Sequence, residues 1–415
     1  MAARGTSALG GLLLSLLIAH VSGPEGLGAF AVFLSLAGAC AILARHGRDM
    51  LLTRAVAWSA DHTRDGTAVA LLCHCVTRVV LPAFVLGVIA SGVLASGVLG
   101  SAFPGTVVLT PLALVPLTML ALMAGYARGR SRPWLAPLFE IGGISMLTAL
   151  LLGATILTGR TVTGASVTTG FLVALLLLVL VACLVIFRDM PRNLRIPPLG
   201  DTHTADLRRG QVDFTVVALA SFLTQAGAFV FAAPFLSEAD LGLLRAAERL
   251  ALLIGFPLLA VNPVIMPRIV RLSRGGGAEA LRRLMLHAML ASGGMSACVM
   301  LPLLVWPERA LALMGAEFGA ATDYLRLMAL AQFVTAVLGP LATLLHMTGR
   351  ERVSMWINIG ALTLATGLVP YLSLVYGARG FALAYAAIAV ARLGLIGAAL
   401  LLSGPAAPRR ATGTR

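Results

Sequence analysis

Apolar residues run along this chain in long stretches separated by short polar connections. Twelve stretches meet or approach the roughly 20 residues that a helix needs to cross a hydrocarbon core: 5–21, 27–44, 68–97, 103–126, 134–157, 165–187, 214–235, 241–266, 284–306, 324–347, 353–375 and 380–402. The pattern predicts an all-α integral membrane protein of about 12 transmembrane helices. The first stretch is short and follows Arg4, as a signal peptide would, but His20 and Val21 are large for a cleavage site, so a retained helix is expected.

Arginine should collect in cytoplasmic connections. The N-terminus, the connections after even-numbered spans and the C-terminus hold 23 of the 31 arginines. The opposite side holds four, Arg160, Arg309, Arg326 and Arg379, and four more lie inside apolar segments, Arg78, Arg245, Arg249 and Arg392. Both termini are therefore expected on the cytoplasmic side. The longest connection, 188–213, carries three prolines and five arginines and reads as an exposed linker. It divides the chain into a six-helix lobe at 1–187 and a second at 214–402, with a tail at 403–415.

An even number of crossings per half requires any repeat to be parallel, about an axis along the membrane normal. Gly129-Arg130-Ser131-Arg132 after span 4 is echoed 220 residues later by Gly349-Arg350-Glu351-Arg352 after span 10. Glu25-Gly26-Leu27-Gly28 at the entry to span 2 is matched 214 residues later by Ala239-Asp240-Leu241-Gly242 before span 8.

Composition agrees with a membrane chain: of 415 residues, 59% are hydrophobic and 12% charged, beyond what a soluble globule carries. All basic residues are Arg and the net charge is +14, but they are spread over short loops, which excludes a nucleic-acid face. The absence of Lys excludes a Walker motif. Five scattered cysteines imply no disulfide framework, and in Cys73-His74-Cys75 the two thiols diverge by about 200° on a helix. No enzyme, metal or other cofactor is expected.

Several segments carry a resemblance. His20 to Gly28 resembles the turn between the first two helices of polysaccharide flippases of the Wzx kind, within the multidrug/oligosaccharidyl-lipid/polysaccharide exporter superfamily. Arg45 to Arg54 resembles that family's exit from helix 2, Ala246-Ala247-Glu248-Arg249-Leu250 its motif in helix 8, and Pro267-Arg268-Ile269 the exit from that helix. Met347 to Arg350 and Tyr376 to Gly380 resemble the loops around helix 11. The resemblance spans nearly the whole chain, although members are often longer, some by two helices. It implies two parallel six-helix lobes around a central cationic cavity, in a monomer of the bacterial inner membrane. It further implies that the protein moves an isoprenoid-pyrophosphate-linked oligosaccharide between leaflets by alternating access, with membrane lipids and a proton or sodium ion as further partners.

Arg245 and Arg249 share one face of span 8, roughly 8 and 14 Å inward from Asp240. Either they clamp a pyrophosphate bidentately, or Glu248 neutralises Arg245 and the side chains snorkel outward. At the 214-residue offset their counterparts are Ala31 and Ser35, so the charge would be one-sided. Arg78 is a third pyrophosphate candidate if span 3 crosses from Ala68, and an interfacial anchor if it crosses from Val79. Arg392, roughly 18 Å from Gly380, reads as snorkelling toward the cytoplasm.

Glu140, roughly 9 Å beyond Trp134, is either an ion-coupling carboxylate in a helix loosened by Pro137 and Gly142-Gly143 or a partner for a nearby arginine. Glu248 is the second coupling candidate. Ser221, Gln225 and Asn262 are candidate sugar contacts, with helix-to-helix hydrogen bonding as the competing role. Two rival functions share the multi-helical pattern: an ion-coupled multidrug exporter of the same superfamily, which would prefer acidic or aromatic cavity residues, and a membrane polysaccharide polymerase, which would need an extramembrane catalytic loop.

Overall fold

The computed structural model describes residues 2–60, 65–130, 132, 134–188, 211–274, 277–348 and 350–403. In chain order its helices are α1 (Ala2–Arg45), α2 (Arg48–Ala60), α3 (Asp65–Ala95), α4 (Thr106–Gly129), α5 (Ile141–Leu157), α6 (Gly164–Arg188), α7 (Gln211–Thr224), α8 (Ala228–Ala232), α9 (Glu238–Ala251), α10 (Phe256–Arg274), α11 (Ala278–Val305), α12 (Pro307–Ala312), α13 (Thr322–Met347) and α14 (Glu351–Ser403). No strand occurs among the described residues. Most of the expected linker, 189–210, and the tail from 404 lie outside them.

Eight helical stretches among the described residues are long and apolar enough to cross a membrane. Two of these, 37 and 50 residues long, each contain two expected spans. The arms part at Gly23 in α1 (φ 64°, ψ −166°) and at Gly377 in α14 (φ 60°, ψ −144°), conformations that glycine enters without a Cβ clash. Pro24 also lacks the N–H that would continue the helical ladder. In α14 the chain doubles back. A Cβ on Gly380 would collide with the Leu372 carbonyl, and α13 residue Leu345 clusters with Val353 and Ile357 of the first arm and Leu393 and Ile396 of the second. The shorter apolar helices α5 and α7 complete the expected set.

Two spans differ from expectation. The stretch expected at 134–157 begins as a short 3-10 turn, Ala136–Phe139, and turns helical only at Ile141. Pro137 and the close return of Gly143 onto the Leu138 carbonyl account for the break. The stretch expected at 214–235 is interrupted between Thr224 and Ala228. Backbone groups freed at such a break need new partners in a membrane, and Ser35 Oγ donates to the Ala226 carbonyl at 2.6 Å.

The chain divides into two compact units, Met1–Gly242 and Leu243–Arg415. The boundary read from the sequence at 188–213 falls earlier, because α7 packs on α1 and α2 and so joins the first unit. Within that unit small residues let backbones touch. Gly125 of α4 lies against the Asp49 carbonyl of α2, where a Cβ would sit at 2.5 Å, and Thr53 Oγ1 donates to the Gly125 carbonyl at 3.0 Å. Phe30, Phe33, Phe103 and Phe171 form a cluster with ring centroids 5.3 to 6.1 Å apart. In the second unit α10, α11 and α13 meet around Ile265, Ile269, Met285 and Ala288. There Ser292 Oγ donates to the Ala336 carbonyl at 2.6 Å.

Gly23→Ala forces a Cβ into a region that costs other residues about 1–3 kcal/mol. A lower thermal unfolding midpoint than wild type in detergent is expected; an unchanged midpoint would show that the α1 bend does not depend on this glycine.

Candidate functional site

α9 starts where Ser237 Oγ accepts the Asp240 N–H at 3.1 Å and donates to Asp240 Oδ2 at 2.7 Å, a side-chain cap for exposed backbone donors. One turn further the helix buries charge. Arg245 Nη1 lies 2.6 Å from Glu248 Oε2, and both side chains are 5% exposed. This is the local neutralisation that the three-residue spacing allows. Arg249, one turn after Arg245, lies in the field of both groups, and its Nε is buried without a hydrogen-bond partner.

The second arm of α14 adds to this group. Tyr385 lies in the field of Glu248, Arg392 and Arg245, and Arg392 is half-buried beside Tyr385. Depths agree, since Tyr385 is five residues beyond Gly380 and Arg245 five beyond Asp240, roughly 8 Å in each case. Arg392, one of the four arginines inside apolar stretches, thus shares an electrostatic neighbourhood with Tyr385. All five residues belong to the second unit. The group therefore gathers three guanidinium ions, one carboxylate and a phenol, an excess of positive charge in helices apolar enough to cross a membrane. Such charges are expensive there and usually mark function. Tyr385 carried no charge signal in the sequence; only its depth match with Arg245 could have found it.

The remaining candidates lie elsewhere. Arg78 is exposed near the middle of α3, which runs unbroken from Asp65 to Ala95. It belongs to the first unit, in the field of Arg48 at the start of α2. Burial pushes the Arg48 guanidinium down from its usual range, partly offset by Cys75, with repulsion from Arg78 adding to the fall. Glu140 is not embedded in a helix. It stands just before α5 in an extended conformation, and Arg128 Nη1 donates to its Oε1 at 3.1 Å.

Gln225 is exposed at the break after α7, and its Nε2 donates to the Ser221 carbonyl at 3.3 Å. Asn262 Oδ1 accepts from Thr343 Oγ1 at 3.0 Å and so ties α10 to α13. Its observed contact is helix-to-helix. No group of three or more metal-ligating side chains occurs among the described residues.

The helices thus make up a multi-pass integral membrane protein with a charged cluster inside the apolar spans. Among solved structures, this fold is shared with an inward-facing multidrug resistance MATE family transporter of the MOP superfamily, at 16% identity and TM-score 0.73 over 99% of this chain and 96% of that one. It is shared with the lipid II flippase MurJ in an inward closed conformation, at 13% identity and TM-score 0.71 over 96% and 86%. The eukaryotic MATE transporter AtDTX14 matches at 14% identity and TM-score 0.58 over 97% and 93%. No family model and no curated protein sequence matches.

Breaking a buried ion pair leaves an uncompensated charge and costs about 3–5 kcal/mol, whereas replacing both partners by apolar groups is often near neutral. Glu248→Leu is therefore expected to lower the unfolding midpoint sharply, and Arg245→Met with Glu248→Leu to recover much of the loss. Additive losses would mean that the two side chains are not coupled.

Proposed function

We propose that the protein translocates an isoprenoid-pyrophosphate-linked oligosaccharide across the bacterial inner membrane by alternating access, during assembly of a surface polysaccharide. The observation that carries this reading is the cluster of buried Arg245 with half-buried Arg249 and Arg392 around a single buried Glu248. Three guanidinium groups and one carboxylate leave two positive charges, the complement of the two ionised oxygens of a pyrophosphate diester. Guanidinium forks suit phosphate oxygens, and Arg249 has a buried donor still to satisfy.

In this reading the halves on either side of the 188–213 linker are the moving bodies and both termini face the cytoplasm. The protein works as a monomer. Glu248 is the internal counter-ion that a phosphate displaces from Arg245; once displaced, it is the carboxylate available to a proton or sodium ion. Ser221 and Gln225 are the proposed sugar contacts, and Arg78 a separate contact for the anionic head group in the first unit. A second reading, an ion-coupled multidrug exporter, draws on the multidrug transporters that share the fold and on Glu248, which would attract a cation.

The test is a leaflet assay in proteoliposomes carrying a polyprenyl-pyrophosphate oligosaccharide, probed with a membrane-impermeant glycan-modifying reagent. Protein-dependent exposure of the protected inner-leaflet pool is expected, and Arg249→Ala should lower its rate at least tenfold at matched abundance. Arg283→Ala, on an exposed surface pair with Glu279, should leave it unchanged. No exposure by a folded protein under an imposed ion gradient, together with uptake of a cationic dye, would replace this reading with the multidrug one.

A further inference from the structure

The start of α9 is held against the second arm of α1 by a reciprocal pair of glycine contacts. A Cβ on Gly28 would collide with the Glu238 carbonyl and sit 2.8 Å from the Gly242 backbone nitrogen. A Cβ on Gly242 would collide with the Pro24 carbonyl. The residues correspond under the 214-residue offset, Pro24 to Glu238 and Gly28 to Gly242. The same contact is therefore made in both directions, as in an isologous interface about a two-fold axis. At these two glycines backbone meets backbone, and the adjacent Leu27 and Leu241 are each 1% exposed.

A side chain ties the crossing to a neighbouring loop. Glu238 Oε1 accepts the Ser101 backbone N–H and its Oε2 accepts from Ser101 Oγ at 2.6 Å. The loop that presents Ser101 is shaped for the purpose. Gly97 and Gly100 sit at φ 70° and 92°, a region that favours glycine, and a Cβ on Gly100 would come within 3.2 Å of Glu238 Oε1. Two residues on, Phe103 is buried in the aromatic cluster with Phe30, and Thr168 Oγ1 holds the Pro104 carbonyl at 2.7 Å. Ser101 is thus a fixed point and Glu238 the part that can leave it.

We infer that Glu238 is a latch: its two hydrogen bonds to Ser101 hold the first turn of α9 on the Gly28–Gly242 crossing, and their release frees the helix that carries Arg245 and Arg249. The latch deepens the transport reading by naming a conformational checkpoint, but its test needs no cargo.

In a cysteine-free background, Leu241→Cys places a thiol at a position that is 1% exposed beneath the latch. Its labelling rate by a water-soluble maleimide is measured on the purified protein in detergent. Glu238→Ala should raise that rate at least fivefold and Ser101→Ala, which keeps the backbone donor, by a smaller factor, while a buried reporter away from the crossing, Ala331→Cys, labels at an unchanged rate. Equal Leu241→Cys rates with and without Ser101→Ala and Glu238→Ala would overturn the latch. Acceleration at Ala331→Cys as well would overturn it too, by revealing general loosening. Should Glu238→Ala fail to fold, the Ser101→Ala comparison decides alone. Either result leaves the leaflet assay free to succeed or fail independently.

Discussion

A helix surrounded by hydrocarbon gains nothing by hiding apolar surface from lipid tails, so what holds this fold together is close backbone approach and interhelical hydrogen bonding. Gly125 of α4 against α2, Gly28 and Gly242 at the α1–α9 crossing, and Gly380 against Leu372 are all places where a single methyl group would force helices apart. Ser35, Thr53, Ser292 and Thr343 add hydroxyl hydrogen bonds between segments far apart in the sequence. Each such bond contributes modestly, about 0.6 kcal/mol on average in a comparable membrane bundle, so stability is distributed over many shallow contacts. That distribution suits the alternating access proposed for this chain.

Against this background a buried charge is conspicuous. Arg283 and Glu279, and Arg128 and Glu140, pair near helix ends and in connections, where water shares the cost and such pairs contribute little. Arg245 and Glu248 have no such help at 5% exposure. A stability argument alone would replace both with leucine. Their retention beside Arg249, Tyr385 and Arg392 makes sense if the positive excess serves a passing anion.

The long apolar stretches made the helical membrane fold legible, because segment length and apolarity alone select crossing helices in a bilayer. The breaks were less legible. Pro137 and Gly142-Gly143 were visible as loosening signals, yet their effect, placing Glu140 outside α5 beside Arg128, depends on a partner twelve residues away. The interruption after Thr224 has no proline to announce it and is stabilised from α1, 191 residues away, by Ser35. Arg245, Arg249 and Glu248 could be found because charge in an apolar run stands out. Tyr385 offered only a depth match with Arg245 and Ser101 offered nothing, since their importance comes from what the fold brings beside them.

The two ends of α9 give this short helix a particular mechanical character. Its first turn carries Glu238, bound to Ser101, and its later turns carry Arg245, Glu248 and Arg249. Glu238 and Arg245 are seven residues apart, close to two turns and roughly 10 Å of helical rise, a length over which a capped helix moves as a rod. The division between compact units falls after Gly242, between these two groups. In the latch reading, moving Arg245 and Arg249 therefore either bends α9 at Gly242 or pulls Glu238 from its loop. Bending sacrifices helical hydrogen bonds in a medium that cannot replace them. Releasing a carboxylate from one serine sacrifices two bonds at a helix end, where water can take their place. The cheaper course is release, which couples the charged cluster to the latch through backbone rigidity alone.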